Sequence, residues 1–430
     1  MGALQSKPRP PSLKRPMMPT PAKVMSCTDA DIRLQSEPNP NGEATYLITP
    51  GSTTSEAINL ACHQLTEVKV PIVIPTETVY GLAASALDGN AVSLIFSIKG
   101  RPADNPLIVH VSSRNMLESI LPSSYTMSGP YQKLINEFWP GPLTLLFPVD
   151  STKIPSIVTA GQSTVAVRMP SHPVARAIIS LSGTPLAAPS ANSSGKPSPT
   201  KMEHVWHDLG ETGKVSLILD GGPCDVGVES TVVDGLQVDG KIRILRPGGV
   251  TVEDIERVVG DDLAEGEKAP QVLVHRRDYE DKVIEEQPTT PGMKYLHYSP
   301  SVPVILLLTP AVAPLPPATA SLSLREVLSD ALSPPQMQKK RPRLGIMLHS
   351  DSPFDPQVRA LVEDVEFIDF SLGPLDSPST TAQRIFDGLL TLEREGVEMI
   401  LVEGIAEERE GLAVMNRLRK AASEVKWVNV

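Results

Sequence analysis

Five polar motifs stand at the edges of apolar runs in the first part of the chain. They are PTETVYG (Pro75 to Gly81), KGRPADNPL (Lys99 to Leu107), APSANSSGKPSPT (Ala188 to Thr200), ESTVVD (Glu229 to Asp234) and RPGG (Arg246 to Gly249). Thr76 and Thr78, two apart in an extended segment, point to the same side, and each hydroxyl can both donate and accept. Lys99 and Arg101 put a point charge and a bidentate fork beside Gly100 and Pro102. Arg168 ends the strand-like STVAVRMP, just before Pro170. The serine-rich stretch exposes hydroxyls and backbone N–H groups around Gly195, a concavity suited to anions. The bland readings are threonines capping a strand, a solvated basic turn, a core histidine at His110 and a Ser/Gly tether. Together the motifs favour a site for an anionic, hydrogen-bonding ligand.

Other chemistries lack their patterns. No Ser–His–Asp order, HExxH or GxxxxGK[ST] is present, which argues against a covalent hydrolase, a zinc protease and a P-loop. No aspartate cluster forms a metal cage, so no protein metal site is expected, and any Mg²⁺ should arrive with a nucleotide's phosphates. His204 and His207 read as solvated histidines on a helix. Three cysteines among 430 residues fit a reducing compartment without a disulfide framework. A net charge of −11 argues against indiscriminate nucleic-acid coating. No apolar run reaches membrane-span length.

The elements that must position these motifs follow from periodicity. Helices are expected over Thr53–Leu65 (with Ser55 as N-cap), Ala91–Ser97, Tyr131–Phe138 and His172–Leu181. Strands are expected over Val70–Pro75, Leu107–Val111, Leu143–Pro148, Ser163–Arg168, Pro185–Ala188, Leu217–Asp220, Ser230–Asp234 and Ile242–Arg246. The pattern is α/β with hairpins, hence a mixed, twisted sheet. Beyond residue 300, strands (Val302–Thr309, Leu344–Leu348, Val365–Phe370, Glu398–Val402, Val425–Val428) alternate with helices (Pro356–Val362, Thr380–Glu395, Glu408–Ser423), as in a small doubly wound domain. The expected units are a disordered basic, Pro-rich tail (1–50), a catalytic domain (51–255), a linker (256–300) and a C-terminal Rossmann-like domain (301–430) with a disordered insert (310–342). TTPGMKYLHYSP (Thr289 to Pro300) is too aromatic for a passive tether and is a candidate lid.

PTETVYGL, KGRPADNPL, the APSANSSGKPSPT stretch and ESTVVD, in this order, resemble the YrdC-like threonylcarbamoyl-AMP synthase family, and PGMKYLHYSP in the linker resembles its longer, two-domain branch. The resemblance implies a nucleotidyltransferase that converts L-threonine, bicarbonate and ATP to threonylcarbamoyl-adenylate and diphosphate. A separate transferase would carry the group to tRNA beside the anticodon. By the same resemblance, Thr78, His110, Arg168, Ala188 and Ser230 would contact threonine. Arg101, Asn105, Thr164, Ser190, Ser198, Arg246 and Tyr298 would contact ATP, and Lys99 and Arg101 would serve catalysis. A double-stranded-RNA-binding module without catalysis is the alternative, with weak RNA binding its mildest form. Acidic balance and scarce aromatics oppose it.

Residues 1–28 are basic and free of acid, the composition of an organelle leader, but rich in helix-breaking proline. Gly2 with Ser6 fits a short myristoylation pattern. A cytoplasmic protein with an additional mitochondrial form is the expectation, with no membrane partner and a monomer as default.

Overall fold

The computed structural model describes residues 20–35, 45–261, 263, 268–281, 285, 297–310, 312–316, 321–333, 341–361 and 364–429. Eleven strands form one mixed sheet, in the spatial order Lys23–Ser26, Leu217–Asp220, Ile72–Ile74, Gly81–Ser85, Leu186–Ala187, Ile108–His110, Thr164–Arg168, Leu143–Pro148, Thr231–Asp234, Ile242–Arg246 and Val272–Val274. Parallel pairs (Ile108–His110 with Thr164–Arg168, Leu143–Pro148 with Thr231–Asp234) are mixed with antiparallel ones, as the hairpin-rich pattern predicts. Buried apolar side chains from the sheet and the helices on it make the core.

Local chemistry sets the boundaries. The helix Thr53–His63 is capped by Ser52, whose hydroxyl accepts from Ser55 N at 3.1 Å, so the cap lies three residues before the expected Ser55. The helix Gly89–Lys99 starts on Asp88, which accepts from Asn90 N and Ala91 N. It ends on Gly100 at φ +61°, a left-handed cap that suits glycine. Gly100 therefore terminates a helix between the two cations. Helix Gly129–Phe138 stops at the Trp-Pro-Gly-Pro turn, which presents the Gly141 carbonyl to Arg168 Nε at 3.2 Å.

Six parallel strands make the second sheet, in the order Leu322–Ser323, Glu424–Asn429, Val304–Leu308, Met399–Glu403, Arg343–Leu348 and Glu366–Ser371. Helices Phe354–Leu361, Pro378–Arg394 and Glu410–Ala421 cross between strands, matching the doubly wound expectation.

The segments read as tail, linker and insert hold regular elements that the sequence reading did not expect. Within the tail expected to be disordered, Lys23–Ser26 adds an edge strand beside Leu217–Asp220, and Ile32–Leu34 pairs with Tyr46–Ile48. Ala22, Cys27 and Tyr46 are buried there, so composition hid a few well-spaced apolar contacts. Within the linker, Val272–Val274 joins the sheet beside Ile242–Arg246. Within the insert, Leu322–Ser323 pairs with Glu424–Asn429 and leads into the helix Leu324–Leu332. That helix starts with a reciprocal capping box between Ser323 and Glu326 and buries Leu324, Val327, Leu328 and Ala331.

The two domains share a core. Val79 and Val228, in loops of the first domain, and Tyr298 of the linker pack with Leu306, Ile385, Phe386 and other residues of the second domain. Gly227, at φ +74°, lets the helix Pro378–Arg394 approach so closely that a Cβ would lie 2.3 Å from Gln383 Cα.

Candidate active site

The strands bring the motifs to one end of the sheet. His110 and Arg168 are paired neighbours at the C-terminal ends of parallel strands. Thr144 pairs with Arg168, and Arg246 pairs with Val232, two residues past Ser230. Gly81 bridges Ser190, which fixes the start of the serine-rich loop over this end. A cavity of about 50 Å³ results, lined by Thr76, Thr78, Val79, Gly81, Arg101, Ile108, His110, Arg168, Ala188, Pro189, Ser190, Glu229, Ser230, Arg246, His297 and Tyr298.

On one wall, Thr76 and Thr78 do face the same way, their hydroxyls 2.9 Å apart. Arg168 Nη1 donates to Thr78 Oγ1 at 2.8 Å, while Nη2 lies 2.6 Å from Glu77 Oε1. Burial pushes the Glu77 carboxyl up, and the Arg168 guanidinium more than offsets it, so the acid sits below its ordinary range. His110 Nδ1 lies 3.2 Å from the Ile108 carbonyl. Burial, with Arg168 beside it, pulls the imidazole down to about 3, so it is neutral at physiological pH.

On the other wall, Arg246 donates to the Ser230 carbonyl through Nη2 (2.8 Å) and to its hydroxyl (3.2 Å), and that hydroxyl also meets Thr144 at 2.7 Å. Arg101 donates to the Asn105 and Pro106 carbonyls at 3.0 and 2.8 Å. Lys99 is 4% exposed and donates to the Ser190 and Asn192 carbonyls, both at 2.5 Å. Burial, then repulsion from Arg101, drives its ammonium well below the usual lysine value. The two cations therefore have local partners that the sequence did not suggest. Those partners are carbonyls, which orient the cations without forming ion pairs.

The serine-rich loop is a built structure. Asn192 Nδ2 donates to the Ser193 and Lys196 carbonyls, and Asp208 accepts from Ser193 N, Ser193 Oγ and Lys196 Nζ. Ser299 N donates to the Gly195 carbonyl at 2.9 Å, tying the linker's end to the loop.

Of the residues expected at the site, Thr78, Arg101, His110, Arg168, Ala188, Ser190, Ser230, Arg246 and Tyr298 line the cavity. Lys99, Asn105 and Ser198 stand behind it, Ser198 donating to Glu229 Oε1 at 2.6 Å. Thr164 does not come to it. It begins the strand that Arg168 ends, opposite Pro148, four residues or about 13 Å away. Lys294 and Tyr295 of the candidate lid lie outside the described residues. His297 and Tyr298 reach the cavity, Tyr298 only 2% exposed at φ +71°, its ring 5.2 Å from Phe386.

Sequence reasoning missed the roles of Glu77 and Glu229, although both lie in the quoted motifs. Buried acids between threonines and apolar residues were the available signal. It also missed Arg417, which reaches the site from the second domain. His204 was expected to be solvated. Its side chain is 8% exposed and lies 3.3 Å from Asp387 across the domain boundary, where Lys201 also meets Asp387 at 2.7 Å. Among the described residues, no group of three His, Cys, Asp or Glu could hold a metal ion, and no helix is long and apolar enough to cross a membrane.

A mixed sheet whose one end gathers four buried cations, paired threonines and a serine-rich loop forms a site suited to an anionic, hydrogen-bonding ligand. Residues 67–248 match the Sua5–YciO–YrdC family model, described as telomere recombination, and residues 250–423 match the threonylcarbamoyl-AMP synthase C-terminal domain. The chain is 41% identical over 420 residues to threonylcarbamoyl-AMP synthase of Schizosaccharomyces pombe, covering 92% of this chain and 97% of that protein. It is 40% identical over 365 residues to the synthase of Pyrococcus abyssi, covering 85% and 94%. The crystal structure of P. abyssi Sua5 complexed with L-threonine superposes with a TM-score of 0.71 at 35% identity, covering 95% of this chain and all of that one. The chain belongs to the two-domain Sua5 branch of the YrdC-like threonylcarbamoyl-AMP synthase family.

Proposed function

We infer that the protein synthesises threonylcarbamoyl-adenylate from L-threonine, bicarbonate and ATP, releasing diphosphate. The observation that carries this is the convergence of Arg101, Arg168 and Arg246 with Thr78, Ser190 and Ser230 on one buried cavity. Arg168, oriented by Thr78, Glu77 and the Gly141 carbonyl, suits the threonine carboxylate. His110, Ala188 and Ser230 complete that subsite. Arg101, Arg246 and Ser190 suit the phosphates, with Lys99, Asn105 and Ser198 supporting from behind and Tyr298 facing the adenylate.

The amine of threonine attacks bicarbonate carbon, water leaves, and a carbamate forms. A carbamate oxygen then attacks the α-phosphorus, a new P–O bond forms, and the bond to the β-phosphate breaks to release diphosphate. No protein nucleophile is needed. The site must hold two anions in line and stabilise charge on the phosphates, so positioning and electrostatics supply the catalysis. Mg²⁺ enters with ATP, carried by its phosphates. Glu77 and Glu229, the carboxylates nearest, are committed to Arg168 and Arg417.

The product feeds a separate transferase that modifies tRNA, and the basic segment 1–28 directs one form to mitochondria. Tagging the full chain and a Met25-initiated chain tests the latter; identical distribution rejects it. The chemistry is tested by diphosphate release. It should require threonine and bicarbonate together with ATP, and release without threonine would reject the reading. Binding of double-stranded RNA without that activity would favour the alternative.

A further inference from the structure

The helix Glu410–Ala421 belongs to the second domain, yet one of its side chains enters the first domain's site. Arg417 is 1% exposed. Its Nε donates to Glu229 Oε2 at 3.0 Å, and Nη2 lies 3.0 Å from the same oxygen. Nη1 donates to the Pro247 carbonyl at 2.6 Å, within the RPGG turn. The guanidinium lies over the Tyr298 ring, 5.6 Å from its centroid.

Glu229 is the junction of these contacts. It lines the cavity together with Tyr298, its Oε1 holds Ser198 of the serine-rich loop, and its charge acts on the Tyr298 phenol. The charged and titratable groups facing it are Arg417, Arg246, Lys99, Lys420, His297 and Tyr298. Burial pushes its carboxyl up, and Arg417, then Arg246, bring it down to about 2. A buried carboxylate beside a triphosphate site is an electrostatic liability, because like charges in a low-dielectric pocket repel strongly. A guanidinium bound through two nitrogens on one side and a fixed carbonyl on the other both cancels and orients that charge.

We propose that Arg417 is a positioning residue for adenylate formation, by which the second domain fixes the Glu229 carboxylate against Ser198 and cancels its charge toward incoming ATP. This rests on the synthase reading above and gives the second domain a part in the chemistry. Arg417 has no need to touch substrate. It acts through Glu229, and Glu229 acts through Ser198 and Tyr298.

The test compares wild type, Arg417→Met, Arg417→Lys and the double variant Arg417→Met/Glu229→Gln in the full chain. ATP affinity is read by calorimetry from pH 5.5 to 8.5, and kcat and KM from diphosphate release. In Arg417→Met the unpaired carboxylate ionises as pH rises. ATP affinity should therefore fall at least tenfold more than in wild type between pH 5.5 and 8.5. The double variant should abolish that extra pH dependence and recover most of the affinity. Arg417→Lys should keep KM for ATP within about threefold while kcat falls about 5- to 20-fold, because a point charge cannot hold the carboxylate's orientation. A purely structural role would lower the melting temperature and activity evenly across pH, without rescue by Glu229→Gln, and that result overturns the proposal. Should Arg417→Met fail to fold, an unchanged kcat in Arg417→Lys overturns it. A wild type that binds ATP but releases no diphosphate would sink the synthase reading instead, while the calorimetric arms still decide the role of Arg417.

Discussion

At the scale of the residue, the site is a set of cations aimed by carbonyls. Lys99 and Arg101 are held by neutral carbonyls, which aim them without an ion pair, while burial works against the charge on Lys99. Arg101→Met should lower kcat/KM for ATP by about 10- to 150-fold, the equivalent of roughly 1.5–3 kcal/mol for a hydrogen bond to a charged group. The melting temperature should change little; turnover near wild type at subsaturating ATP would refute the assignment. Lys99→Ala should do more, because its ammonium also stitches Ser190 and Asn192 in place. Buried neutral histidines give a second expectation. His110 and His297 are pulled to about 3 and about 4, both chiefly by burial, from an ordinary value near 6.5. The unfolded chain binds a proton at each below that value and the native state does not, so stability falls as pH drops from about 6.5 toward 4. Each histidine costs about 1 kcal/mol per pH unit in that window. Denaturant midpoints at pH 7.5 and 5.5 should show the loss, and His110→Gln should reduce it. An equal loss in that variant would argue against the assignment.

At the scale of the element, two segments behave differently from their composition. The basic N-terminal region supplies an edge strand, Lys23–Ser26, flanked by buried Ala22 and Cys27. Deleting residues 1–19 should leave the melting temperature unchanged, whereas deleting 1–28 should lower it by several degrees. Calorimetry on the two truncations separates them, and equal stability would mean the strand contributes nothing. The tail's composition suggested disorder, but an edge strand needs only a few apolar contacts. The second segment is the end of the linker. Tyr298 already fills the space between the domains, and the cavity it leaves, about 50 Å³, is far below the several hundred Å³ of a nucleotide-sized site. If ATP takes the proposed place in this cavity, its entry requires His297–Ser299 to move. Amide exchange there should quicken on adding ATP, the reverse of the protection expected from a lid that starts open. Unchanged or slower exchange would show that the nucleotide enters by another route.

At the scale of the whole molecule, the two domains form one working unit. Val79 of the PTETVYG motif lies in the second domain's core, and each such large apolar side chain, if fully buried, contributes about 1.5–3 kcal/mol. Gly227 is the tightest point of that contact. Gly227→Ala should cost about 2 kcal/mol or more, because the new Cβ meets the Gln383 backbone and φ is positive. Chemical denaturation measures it; a loss below 0.5 kcal/mol would mean the helix shifts freely.

Most strands and helices and the motif identities were legible in the sequence alone, because those rest on local periodicity and turn chemistry. Thr76 with Thr78, Arg168 at a strand end and the parallel second domain were legible on that basis. The capping box at Ser323–Glu326 was equally local, but the Pro-rich setting concealed it. Tertiary structure alone decided what meets across chain distance. It gave Lys99 its carbonyls in the serine-rich loop and brought His204 to Asp387. It also set Arg417 on Glu229, 188 residues apart. A side chain's partner from another domain leaves no periodic trace in its own segment, so buried charge pairing of this kind becomes visible only when the sheets are assembled.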